Sequence, residues 1–142
     1  MASSQPTRTQ LWLGLTRPRT LLSGLSAVLV AIFYAAFIGP IDPLRTALLL
    51  VVAISAQIGS NIANDLIDFK KGADTERRVG QRRAVASGWI APRTMLTASL
   101  ITLGLACLCG LGLLAYGDWR ILLPAGLAIA LCVPAYTAGP YP

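Results

Sequence analysis

The sequence contains no histidine, so bis-imidazole haem ligation, imidazole-bound zinc and histidine-activated nucleophiles are excluded within this chain. Its three cysteines, Cys107, Cys109 and Cys132, form an odd set inside apolar stretches, which argues against a disulfide framework and for inert, buried thiols. Cys107 and Cys109 would lie about 200° apart around a helix, an arrangement that does not suit a shared metal. Charge is scarce: 13% of residues are Asp, Glu, Lys or Arg, where soluble domains carry about 25%. An ordinary soluble globular protein is therefore excluded.

Long uncharged sequence takes the place of charge. Four runs, 20–41, 46–64, 94–117 and 121–142, hold 87 of the 142 residues. Each is close to the roughly 20 residues that a helix needs to cross about 30 Å of hydrocarbon. The runs predict an all-α fold, an integral membrane bundle of four transmembrane helices over 20–142. An interfacial segment at 1–19 precedes it, and a polar loop at 69–93 interrupts it.

The basic residues set an orientation. Arg8, Arg17 and Arg19 precede the first run, and Lys70, Lys71, Arg77, Arg78, Arg82, Arg83 and Arg93 lie between the second and third. In the other two connections Asp42 offsets Arg45 and Asp118 offsets Arg120. This alternation obeys the positive-inside rule and places the N-terminus and the 69–93 loop in the cytoplasm. The net charge of +6 thus reports topology, and no nucleic-acid partner is implied. A secretory signal is a poor reading of the first run, which exceeds an h-region and is followed by three more. The segment QLWLGLTRPRT at 10–20 sets Trp12 and alternating leucines beside arginines, as in a short helix lying in the cytoplasmic interface. Small residues at every fourth position predict packing faces: Ser23, Ala27, Ala31, Ala35 and Gly39 in the first run, and Thr102, Ala106 and Gly110 in the third. Pro124 and Pro134 predict kinks in the fourth.

The chemistry concentrates in QIGSNIANDLIDFKKGAD, residues 57–74. At about 100° per residue, Gln57, Asn61, Asn64, Asp65 and Asp68 fall within a sector of roughly 100° on one helix face. A carboxylate at the centre of a spanning helix costs on the order of 2.5–3.5 kcal/mol, so carboxylates in or at the edge of a membrane are functional or paired. A merely solvated helix end would explain Asp65 and Asp68, but not Gln57 and Asn61 one to two turns deeper. Two carboxylates with amide oxygens beside them suit a hard cation such as Mg²⁺, which completes its shell with water and phosphate. Lys70, Lys71, Arg77, Arg78, Arg82 and Arg83 then offer charges and guanidinium forks to phosphoryl oxygens, and Gly72, Gly80 and Gly88 permit tight loops. Taken alone, the loop is equally a positive-inside signal or a contact with anionic lipid. Its combination with the acidic stripe points to a metal–diphosphate site.

These residues resemble the UbiA-type intramembrane prenyltransferases. The likeness lies in Asn61, Asn64, Asp65 and Asp68 followed by Asp74, then in RAVASG at 83–88. Within the family the chain is most similar to the branch that prenylates 1,4-dihydroxy-2-naphthoate in menaquinone synthesis, whose pattern Arg17-Pro18-Arg19-Thr20 and the terminal YTAGPYP also resemble. The resemblance implies an enzyme of the bacterial plasma membrane that transfers a polyprenyl group from its diphosphate to the aromatic naphthoate, giving demethylmenaquinone. Asn61, Asn64, Asp65 and Asp68 would hold Mg²⁺, with Asp65 and Asp68 as the catalytic carboxylates. Lys71, Asp74, Arg77, Arg78 and Arg83 would bind the diphosphate. Family members also carry a second helical half with its own Asp-rich motif, and no such motif occurs here. The expectation is a partial copy of the N-terminal half, whose site a second half-chain or an oligomer would complete. The competing reading is a small four-helix transporter-like protein with an intramembrane cation or proton site, and a third is a non-catalytic assembly module. Against the transporter stands the position of the carboxylates, at a helix end beside arginines and not near the midplane.

Overall fold

The computed structural model describes residues 6–72 and 84–138. Five α-helices follow one another: α1 Arg8–Thr16, α2 Pro18–Ile38, α3 Pro43–Lys70, α4 Pro92–Leu113, which ends in a 3₁₀ turn Leu114–Tyr116, and α5 Trp119–Ala138. The described residues contain no strand. Three segments, Pro18–Ile38, Pro43–Lys70 and Pro92–Tyr116, are long and apolar enough to cross a membrane. The fourth uncharged run falls on α5, where the described apolar stretch Trp119–Cys132 is shorter, so three of the four expected spans meet that standard.

Local chemistry explains the helix starts. α2, α3 and α4 each carry proline in the first turn, where a missing N–H costs nothing. Asp42 caps α3 by accepting from the Arg45 amide at 2.8 Å, and Asp118 accepts from the Arg120 amide at 2.9 Å where α5 begins. α1 opens with a capping box in which Thr7 Oγ1 accepts from the Gln10 amide and Gln10 Oε1 from the Thr7 amide. α5 runs as one helix through Pro124 and Pro134.

α3 is the hub and packs against each of the other four helices, most extensively against α4. That pair is antiparallel. Near one end Leu48 meets Gly112, at the middle Gly59 meets Thr102 and Leu103, and near the other end Leu66 and Met95 share one cluster. Gly59 marks the closest approach: a Cβ there would lie 2.7–2.8 Å from Leu103 and Thr102, and Ser99 Oγ donates to the Gly59 carbonyl at 3.1 Å. α2 is antiparallel to α3 as well, with Gly24 against Gln57 and Thr20 against Asn61.

Among the described residues, the expected small-residue face of α2 is not the one that packs. Ser23, Ala27, Ala31 and Ala35 are exposed and Gly39 just past the helix is half-buried, whereas the half-buried positions within α2 are Leu21, Leu25, Val28 and Ile32. A strict four-residue ladder advances about 40° per step and so winds around the helix, whereas the observed steps of four, three and four hold one face. The same drift acts on α4, where Thr102 and Ala106 lie toward α3 but Gly110 meets open space. The cysteines also depart from expectation, since Cys107 and Cys132 are exposed on the outer side of their helices.

The buried core sits at one end of the bundle. Leu15 of α1, Ile62 and Leu66 of α3, Ala84, Val85 and Ile90 of the connecting loop and Met95 of α4 form one cluster, with Leu11, Ile58 and Ala98 against it. Elsewhere the helices expose large apolar side chains, including Phe33, Phe37, Leu100, Ile101, Leu108, Ile121 and Leu131. Such a surface suits a hydrocarbon solvent rather than water.

Candidate functional site

The polar stripe of α3 meets the corner between α1 and α2. Arg17 makes that corner. Its backbone is left-handed, with φ +47°, and serves two helices at once. Its N–H donates to Gly14 at 3.2 Å, and its carbonyl accepts from the Thr20 and Leu21 amides and the Thr20 hydroxyl. A non-glycine residue pays about 1–2 kcal/mol for this conformation, so the side chain there has to be worth keeping. The Arg17 guanidinium donates to Asp65 Oδ1, forming an ion pair in which Asp65 is buried and Arg17 about one-third exposed.

Asn61, one turn earlier, is also buried. Its Nδ2 donates to the Thr16 carbonyl at 3.0 Å and to Thr20 Oγ1 at 3.2 Å, and its Oδ1 accepts from Gln57 Nε2 at 3.3 Å. The Thr16 carbonyl belongs to the last turn of α1 and has no helical partner, so Asn61 caps that helix from a distance. Gly24 leaves room for Gln57, because a Cβ there would stand 2.7 Å from Gln57 Oε1. Asn64 and Asp68 continue the stripe and are half-buried, and Lys71 beyond them is exposed. α3 closes with Gly72 at φ +67°, whose N–H donates to Phe69 at 3.1 Å.

Residues 84–89 form a second structured piece. Gly88 N–H donates to Val85 and Trp89 N–H to Ala84, each at 2.9 Å, with Gly88 at φ +70°, the bond pattern of a Schellman turn. The turn buries Ala84 and Val85 against Ile62 and Leu66, which ties the loop to the stripe's own helix.

The structure thus brings Asn61 and Asp65 into the protein interior, leaves Asn64 and Asp68 half-buried and leaves Lys71 exposed. Asp74, Arg77, Arg78 and Arg83 lie outside the described residues. Among the described residues no three acidic, histidine or cysteine side chains converge. The donors on this face are carboxylate and amide oxygens, the hard set that Mg²⁺ prefers, so the chemistry fits a hard divalent cation. Spacing along the sequence does not single out Arg17 as a partner of this stripe. Its signal was present all the same: a carboxylate in an apolar span needs a cation, and the arginines before the first run lie at the same end of an up-and-down bundle.

Long apolar helices, an outward apolar surface and a polar, ion-paired stripe at one end define an integral membrane protein of the helical-bundle class. The chain belongs to the UbiA prenyltransferase family, whose sequence pattern matches residues 24–141. It is 38% identical to the 1,4-dihydroxy-2-naphthoate octaprenyltransferase of Escherichia coli, over all of this chain and 48% of that protein. Proteins of the same name from Bacillus subtilis and Mycobacterium tuberculosis are 35% and 36% identical, over 90% and 92% of this chain and 41% and 44% of theirs. The chain therefore spans about half the length of these curated relatives. No solved structure matches it at significance.

Proposed function

We propose that this chain carries the diphosphate-binding site of an intramembrane prenyltransferase. The enzyme transfers a polyprenyl group from its diphosphate to 1,4-dihydroxy-2-naphthoate, releasing diphosphate and the ring carboxylate as carbon dioxide, and leaves the demethylmenaquinone ring at the quinol level. The observation that supports this best is the α3 stripe, which runs from the half-buried Gln57 and the buried Asn61 to the half-buried Asn64 and Asp68 and ends beside a loop of basic sequence. The relatives' shared name supports the choice of acceptor.

Asn64 and Asp68 would hold a Mg²⁺ ion, with Asn61 and Asp65 one turn behind them. When bound, the ion supplies neutralisation of the charge that builds on the departing diphosphate. Lys71, and from the loop Arg77, Arg78 and Arg83, would neutralise the remaining phosphoryl oxygens, with Asp74 completing the motif. The exposed apolar faces would hold the prenyl tail and keep water from the allylic cation. In this reading α5 is a fourth span, the N-terminus and the 69–93 loop are cytoplasmic, and a further helical half or a second copy closes the cavity.

The test is Asp68→Asn in a protein of the relatives' full length. Prenyl transfer driven by Mg²⁺ should fall by about 10²-fold or more, the scale expected for losing a group that stabilises transition-state charge. Insertion should be normal, since removing a charge does not make it harder. Full activity in Asp68→Asn overturns the reading.

A further inference from the structure

We infer that Arg17, Asn61 and Asp65 form a positioning clamp that locks the end of α3 to the α1–α2 corner. The functional half of this inference rests on the prenyl-transfer reading, and the clamp itself stands on geometry.

By sequence, Asp65 and Asp68 are equivalent: same helix face, one turn apart, same motif. The structure separates them. Asp65 is buried at 4% exposure and paired with Arg17, while Asp68 is half-buried. Asn61 is committed too, with its amide nitrogen on Thr16 and Thr20 and its oxygen accepting from Gln57. Apart from the Gln57 bond, these contacts reach 41 to 48 residues along the chain, so the contacts with α1 and α2 join elements rather than decorate one helix. All of them converge on Thr16, Arg17 and Thr20, the residues that end α1 and begin α2. A divalent cation on Asp65 would have to share that carboxylate with the Arg17 guanidinium, and the two positive charges would repel each other. Asp65 is therefore assigned to Arg17. Arg17 and Asp65 are then positioning residues, which fix where Asn64 and Asp68 stand.

The experiment measures amide hydrogen exchange over α1, together with the Mg²⁺ half-saturation of prenyl transfer, in a full-length protein. Asp65→Asn and Arg17→Gln should each speed exchange in α1 by about tenfold or more, because the clamp's local opening free energy falls. In the same two variants kcat should drop while Mg²⁺ half-saturation stays within about twofold. The exchanged pair Arg17→Asp with Asp65→Arg should recover slow exchange and part of kcat, since Asp tolerates the left-handed position and the charges again oppose. Asp68→Asn should do the reverse, leaving α1 exchange as in the parent and losing Mg²⁺-dependent transfer. Wild-type exchange in Asp65→Asn overturns the clamp, as does a rise in its Mg²⁺ half-saturation or failure of the exchanged pair to recover. If Asp65→Asn does not insert, Arg17→Lys decides, with faster α1 exchange expected and unchanged exchange overturning the proposal. Retained transfer in Asp68→Asn would sink the prenyl-transfer reading while the exchange measurements still judge the clamp.

Discussion

Gly88 and Gly59 are indispensable for opposite reasons. A Cβ at Gly88 would meet nothing within 4 Å, but its φ of +70° is one that most residues resist. Gly59 has ordinary helical backbone, but a Cβ would collide with Leu103 and Thr102. Gly88→Ala should therefore cost about 1–2 kcal/mol and Gly88→Asn less, because asparagine visits the left-handed region. Gly59→Ala should cost about 1–3 kcal/mol, and Gly59→Asn more, because there the limit is volume. Thermal unfolding in detergent measures all four, and an asparagine tolerated equally at both positions would refute the distinction. The same scale marks where sequence reading stops. The stripe from Gln57 to Asp68 was legible because helical spacing alone aligns it. The division of labour within it was not, because it depends on Arg17, 48 residues away from Asp65 in sequence and held in a conformation that no periodicity encodes.

At the scale of elements, cutting the chain at its charges located the helices but misplaced their ends. The run 46–64 lies inside α3, which extends over Pro43–Lys70, since a cap at Asp42 and a proline start it earlier and the polar stripe continues it later. α1 was legible from leucines beside arginines, and the structure resolves its faces: Leu11 and Leu15 turn to the core while Trp12 and Leu13 remain exposed. With Arg8 also exposed, and Arg19 exposed in the first turn of α2 beside it, this helix has the makings of an interfacial element. In a variant whose Trp89 and Trp119 are replaced by Phe, lipids brominated near the headgroup should quench Trp12 more strongly than lipids brominated near the chain end. Stronger quenching from the deep position would place α1 elsewhere.

Across the whole molecule, the antiparallel register of α2, α3 and α4 puts residues 39–42 at one end and the turn at 84–89 at the other. Together with the arginine distribution, this predicts opposite sides of the membrane for Pro40 and Ser87. After Cys107, Cys109 and Cys132 are replaced by Ala, Ser87→Cys should react with an impermeant thiol reagent only from the cytoplasmic face, and Pro40→Cys only from the other. The reverse pattern would invert the orientation. The length of α3 has a consequence of a kinetic kind. Its 28 residues extend about 42 Å, past a hydrocarbon layer about 30 Å thick, and Asp68 lies in the last turn. A molecule with a charged head and a long isoprenoid tail already floats with its head at that level. In the prenyl-transfer reading it would reach the stripe by sliding sideways in the plane of the leaflet, so that its search would be two-dimensional and its tail would never have to cross water.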